Sequence, residues 1–311
     1  RLMAGAPALA GRIDLMRGDI TRPRLGLDGP PPARVRQVWH LAAAYDLTIP
    51  RGMALRVNRD GTRHVLALAA GLKELERFHH VSTCYVSGHH PGTFSEADLD
   101  IGQTFNNHYE ETKYLAELEV RAASQAGLPV TVYRPSVVVG DSVTGETPKL
   151  DGPYFVVRLL LRQGQRAVVP VFGEPASTHF NAVPRDWVVE AMARLATRGD
   201  TVGRTFHLAE PEPETIAVLL EAMAKAAGKT LVPVRLPLAL AKWATSWVPG
   251  VGTLTGVPAE AMDYFDHPTR YATAATQDAL GGYAPPRFVD LLPVLVDFVR
   301  RNPGIGSEAM A

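Results

Sequence analysis

The sequence holds a single cysteine, Cys84, in 311 residues. One thiol excludes an intrachain disulfide and a cysteine-based zinc site, and it fits a reducing, cytoplasmic setting. Neither sign of charge is in excess, because 32 Lys+Arg balance 32 Asp+Glu. A protein that neutralises nucleic-acid phosphates carries a basic surplus or stripe, so nucleic acid is excluded as a partner. No uninterrupted apolar run reaches the ~18 residues that a membrane span needs. The most apolar region, Leu231–Leu254, is broken by Arg235, Lys242 and three prolines. The opening RLMAGAPALAGR lacks the basic segment and continuous apolar core of a secretory signal. Lysine is also scarce, since only six of the 32 basic residues are Lys, which makes Lys113 conspicuous.

What remains is an ordinary globular composition, 46% hydrophobic and 21% charged. The length exceeds the ~100–200 residues usual for one domain. The first half alternates β-type runs with helical periodicity. Ile13–Met16 and Val35–Leu41 read as short strands, Asn58–Ala70 as a helix stopped by Gly71, and Phe78–Val86 as the next strand. Asn107–Ala126 reads as a long helix, with Asn107 as N-cap, Glu110 three residues on, and Gly127-Leu128-Pro129 as its stop. Val130–Val139 reads as a buried strand closed by Gly140. Helices at Tyr154–Gln163, Pro184–Thr197, Glu214–Ala227 and Phe288–Arg301 follow, with short strands VVPVF and TFHLA among them.

Strand–helix alternation with β-branched, nearly uninterrupted strands implies parallel pairing with helices on both faces. The expected fold is therefore α/β, a doubly wound, Rossmann-like parallel sheet with a smaller interleaved C-terminal domain. Residues 1–147 form the dinucleotide-binding part, 181–209 return to it, and 148–311 mainly bind substrate. Ligands gather at the carboxyl ends of such strands, and Asp19, Ala42, Thr83 and Ser136 all fall at predicted strand ends.

Tyr109 and Lys113 lie four apart on one predicted helix, hence on one face a turn apart. A lysine so placed favours the phenolate by its charge, and the tyrosine can then exchange a proton with a carbinol oxygen. The spacing alone also suits a plain exposed helix pair. Thr83, at a strand end 26 residues earlier, supplies a hydroxyl for the same oxygen.

With these residues the chain resembles the extended short-chain dehydrogenase/reductase family, NAD-dependent epimerase/dehydratase-like, and within it the thioester-reductase and fatty acyl-CoA reductase branch. The matching segments are Gly18-Asp19-Ile20-Thr21, VWHLAAAYDL at 38–47, VNRDGT at 57–62, HVSTCYVSG at 80–88, FNNHYEETKYLAE at 105–117, YRPSVVVGDSVTG at 133–145, NAVPRDWV at 181–188 and Pro285-Pro286. The resemblance implies catalytic roles for Thr83, Tyr109 and Lys113. It implies that Asp19 meets the adenine amino group with Ile20 beside the ring, and that Leu41, Ala42 and Ala43 pass under the adenosine and pyrophosphate. Pro135, Ser136 and Val138 then line the nicotinamide, although Leu41 and Val138 equally suit the core of any such sheet.

The family's glycine-rich turn after the first strand, whose amides hold the pyrophosphate, is missing. The near-match Gly250-Val251-Gly252-Thr253-Leu254-Thr255-Gly256 has one residue too many and follows Trp247-Val248-Pro249; it reads as a loop. The economical expectation is that a βαβ portion of ~30 residues or more precedes Arg1; a cofactor-free relative is the bolder alternative. Gly140-Asp141-Ser142-Val143-Thr144-Gly145 is not a hydrolase elbow, because its second glycine comes one residue late. The pairs His79-His80 and His89-His90 do not read as metal ligands, since adjacent strand residues face opposite ways. His40 reads as structural and Cys84 as a small buried filler; no metal is expected.

The resulting expectation is an NAD(P)-dependent oxidoreductase acting on the carbonyl of an acyl thioester or aldehyde, with NADP(H) ahead of NAD(H) as cofactor. Its partners are a small-molecule substrate and, if Leu231–Leu254 is not simply core, a lipid-like acyl group; a homodimer is compatible with it. The alternatives are a sugar-nucleotide epimerase or dehydratase with the same Tyr/Lys/Thr set, and a non-catalytic cofactor-sensing relative.

Overall fold

The computed structural model describes residues 11–31, 34–45, 49–237 and 267–306. Its centre is a four-stranded parallel sheet of β1 (Gln37–His40), β2 (Arg77–Val81), β4 (Val130–Pro135) and β8 (Thr205–Leu208), in the order β1-β2-β4-β8. β4 is buried at every position, and β2 at all but its last. Strands covered on both faces are buried throughout, here with Arg77, His79 and His80 of β2 and Thr131 and Arg134 of β4 buried among the apolar residues. The register sets Trp39 beside His79 and His80 beside Val132.

Helices cover both faces. On one, α2 (Gly61–Ala70) and α3 (His108–Gln125) bury Val65, Leu66, Ala69 and Val120 against Phe78, Val130 and Val132. Ahead of α2 the same helical path is continued by α1 (Arg51–Ala54) and a π-helical turn, Leu55–Asp60. On the other face, α5 (Arg185–Ala196) packs Trp187, Ala191 and Leu195 on Tyr133, Phe206 and Leu208. The sheet is doubly wound, as the alternation of strands and helices requires. A separate core joins α4 (Tyr154–Leu161), α6 (Ile216–Ala227) and α8 (Phe288–Arg301) with β6 (Arg166–Val171), which pairs in parallel with β9 (Thr230–Arg235).

Two further parallel pairs tie the loops down: β5 (Val137–Val139) with β7 (Ala182–Pro184), and β3 (Gly92–Phe94) with β10 (Thr269–Tyr271). The short helix α7 (Ala274–Ala279) follows β10.

Several expectations change. Ile13–Met16 is not a strand: it has no pairing partner, and Leu15 is 89% exposed. The run Phe78–Val86 is a strand only to Val81 and closes in a 3-10 turn at Cys84–Ser87. Val130–Val139 divides at Ser136, where the chain leaves β8 and β5 takes up β7. The Asn58–Ala70 helix begins earlier, at Arg51. Gly250–Gly256 and most of Leu231–Leu254 lie outside the described residues.

Candidate active site

β2 delivers Thr83 two residues past its carboxyl end, and the chain is tied there to β4. Ser82 N donates to the Tyr133 carbonyl at 2.7 Å, Cys84 Sγ to the Arg134 carbonyl at 3.0 Å, and Thr83 Oγ1 to the Pro135 carbonyl at 3.4 Å. Thr83 Oγ1 also caps the following turn by accepting from Tyr85 N at 3.3 Å. Gly88 closes that turn at φ 48°, a left-handed conformation suited to glycine. A Cβ there would lie 2.1 Å from the Thr104 carbonyl. The segment before α3 is thereby pressed against the Thr83 turn.

α3 begins at Asn107, whose side chain accepts from Glu110 N at 3.0 Å. The cap places Tyr109 in the first turn, half-buried, with its phenol facing the Thr83 hydroxyl. Burial pushes the Tyr109 phenol up to about 12, with the Thr83 hydroxyl pulling the other way. Lys113, one turn on, is buried and donates from Nζ to the Val81 carbonyl at 2.7 Å. Burial lowers it to about 8, against the charge of Glu117, which raises it. The expected lowering of Tyr109 by Lys113 is therefore absent. Desolvation dominates the phenol, and the ammonium is spent on a strand carbonyl.

The expected adenosine-side residues lie on the other flank. Leu41 is 59% exposed just past β1, Ala42 is exposed and Ala43 is half-buried. Asp19 is exposed and accepts from Thr21 N at 2.9 Å and Thr21 Oγ1 at 2.7 Å, with Arg22 at 3.3 Å. These bonds hold its carboxyl below the usual range. Ile20 packs into the α2 core, and a Cβ on Gly61 would stand 3.0 Å from Ile20 Cδ1. Near β5, Pro135 is buried, Val138 is 45% exposed, and the buried Ser136 hydroxyl has no hydrogen-bond partner. Exposure of Leu41 and Val138 decides against the plain core reading of both.

Two polar devices beneath the site were not assigned a role from sequence. Buried Asn58 clamps the loop after β1: Oδ1 accepts from Ala44 N at 2.7 Å, while Nδ2 donates to the Ala44 carbonyl and to Thr112 Oγ1, each at 2.9 Å. Glu117, four residues after Lys113, accepts from Ser82 Oγ at 2.6 Å and from Arg134 NH2 at 2.7 Å. The i, i+4 step from Lys113 is the signal that points to Glu117. His40, expected as structural, bonds through Nε2 to Thr62 Oγ1 at 2.9 Å; burial lowers it to about 4. His79 and His80 face opposite sides, His79 stacking on Trp39 at 3.8 Å and His80 lying 5.5 Å from His40.

A parallel sheet wound on both faces, with a threonine–tyrosine pair and a buried lysine at the carboxyl end of a central strand, defines a nucleotide-binding fold of the short-chain dehydrogenase/reductase type. Residues 3–192 match the family model described as Male sterility protein, an NAD-binding family, and the chain belongs to it, in the thioester-reductase branch of the extended dehydrogenase/reductases. Among curated relatives, the carboxylic acid reductase of Mycobacterium tuberculosis is 27% identical over 230 residues, 67% of this chain and 19% of that protein. The fatty acyl-CoA reductase wat of Drosophila melanogaster is 28% identical over 223 residues, 61% of this chain and 42% of that protein. The chain thus spans less than half the length of either. The crystal structure of the terminal R domain from the myxalamid PKS-NRPS pathway superposes with a TM-score of 0.79 at 26% identity, over 96% of this chain and 77% of that one. Among the described residues no helix is long and apolar enough to cross a membrane.

Proposed function

We propose that this chain is an NAD(P)-dependent oxidoreductase that reduces the carbonyl of an acyl thioester or aldehyde. The observation that carries this reading is the meeting of the Tyr109 phenol and the Thr83 hydroxyl at the carboxyl end of β2, with buried Lys113 one turn behind. When bound, the nicotinamide supplies hydride. The chain's own groups do the rest. Thr83 and Tyr109 hold the carbonyl oxygen between two hydroxyls, and Tyr109 passes its proton to that oxygen as negative charge develops. Lys113, one turn behind Tyr109, would hold ribose hydroxyls of the bound cofactor.

The residues present fit the two ends of the dinucleotide. The unpartnered Ser136 hydroxyl and exposed Val138 suit the carboxamide and face of the nicotinamide, and Asp19 and Ile20 suit adenine. Among the described residues no glycine-rich strand-to-helix turn cradles the pyrophosphate. NADPH is the donor we favour, in keeping with a reductive role.

The same proposal extends to domain boundaries at 1–147 with 181–209 and 148–311, to a cytoplasmic setting supported by one buried thiol, to a lipid-like acyl group, and to a homodimer. The last two rest on the family resemblance. Replacing Tyr109 with phenylalanine tests the core of the reading. Turnover should fall by about 10²–10⁴-fold while NADPH affinity holds. Undiminished turnover would overturn it. Stoichiometric NADPH consumption separates reduction from epimerisation, which returns its cofactor unchanged.

A further inference from the structure

A cavity of about 170 Å³ opens beside the candidate site. It shares a wall with it: Tyr85, which lines the cavity, belongs to the turn capped by Thr83. β10, whose Tyr271 packs edge-on to Tyr85 at 6.3 Å, supplies Arg270 to the same lining. His179 Nδ1 lies 2.7 Å from the Pro213 carbonyl, and so carries the proton on that side. Its Nε2 is left as an acceptor and takes the Arg270 guanidinium. Among the described residues Arg270 enters no ion pair. His267, also in the wall, is buried and bonded through Nε2 to Tyr271 Oη at 2.9 Å, and its Nδ1 has no partner. Among the described lining residues the one carboxylate, Glu212, is exposed. The cavity thus offers one oriented guanidinium with open valences and an orphan imidazole nitrogen.

We propose that Arg270, oriented by His179, is an anion-reading subsite that takes a carboxylate or phosphate carried by the substrate, while the substrate's carbonyl lies between Thr83 and Tyr109. This deepens the reductase reading and rests on it for the second half. A guanidinium fork fixed by one neighbour keeps its remaining donors for a planar or tetrahedral anion, which a flexible ammonium holds less well. The size of the cavity suits the anionic end of a substrate rather than its whole length.

Calorimetric titration of the full chain with inorganic phosphate and, separately, with succinate reads the subsite without cofactor or turnover. The wild type should bind at least one of the two at one equivalent, and the anion that binds names the source. Arg270→Ala should weaken that binding by about tenfold or more, Arg270→Lys by less, and Tyr109→Phe not at all. Arg270 is exposed, so circular dichroism should show all variants folded. Equal affinity in wild type and Arg270→Ala, or no binding of either anion by wild type, overturns the proposal. Arg270-dependent binding together with full turnover in Tyr109→Phe would leave the subsite standing and remove the reductase reading. The reverse pattern would do the opposite.

Discussion

Glu117 and Arg134, whose side chains are both fully buried, meet across α3 and β4 with Oε1 2.7 Å from NH2. Ser82, the residue before Thr83, donates to the same carboxylate. The pair therefore ties the helix that carries Tyr109 and Lys113 to the strand end that carries Thr83. Burial pushes the Glu117 carboxyl up, but the Arg134 charge and the bonds from Arg134 and Ser82 outweigh it and hold it below its ordinary range. A depressed carboxyl contributes stability above its unfolded value of about 4.3, lost as pH falls through the folded value. Arg134→Met strands that charge and should cost about 3–5 kcal/mol, measured by urea unfolding at neutral pH. The loss should shrink in acid.

Lys113 also titrates lower when folded, but here burial penalises its charged form, and the window lies in alkali. Its folded value is lowered to about 8 by burial, against about 10.4 in an unfolded chain. Between these two values the unfolded chain binds more protons, so the stability owed to this group rises with pH across that window. The melting midpoint of wild type relative to Lys113→Met should climb from pH 8 to pH 10. Because Glu117 raises Lys113, Glu117→Gln should move the window to lower pH.

Asn58→Ala removes three hydrogen bonds that hold Ala44 and Thr112. The expected cost is about 1–3 kcal/mol, with weaker NADPH binding because the 41–44 loop is released. Urea unfolding and a cofactor titration check the two halves separately.

Gly88→Ala places a methyl against the Thr104 carbonyl at a backbone angle that L-residues avoid. The turn behind Thr83 must shift. Turnover should fall together with thermal stability, and a folded, fully active variant would show that the close approach does not matter.

Much of this was legible in the chain. α8 coincides with its predicted span because its apolar face recurs at helical spacing from Phe288 to Val299. The Asn107 cap was readable because it is local. Thr83, Tyr109 and Lys113 were singled out by spacing, a strand end and the family resemblance, and the fold brings the three to one strand end. What escaped was non-local. The β3–β10 ladder pairs three-residue strands, setting Gly92 beside Thr269, and no periodicity marks so short a pair. Ile13–Met16 has strand-like composition but no partner. The fate of Lys113, bonded to Val81 rather than tuning Tyr109, depended on burial that spacing alone does not report.

The central claim is that Tyr109 gives the proton while NADPH gives the hydride. Its most direct measurement is single-turnover reduction of an aldehyde by the full chain with NADPH, wild type against Tyr109→Phe, with cofactor affinity determined in parallel. The account predicts one NADPH consumed per alcohol formed by wild type, and unchanged NADPH affinity with a reduction rate about 10²–10⁴-fold lower in the variant. Equal reduction rates in the two proteins would contradict it, as would NADPH bound by wild type without any alcohol formed.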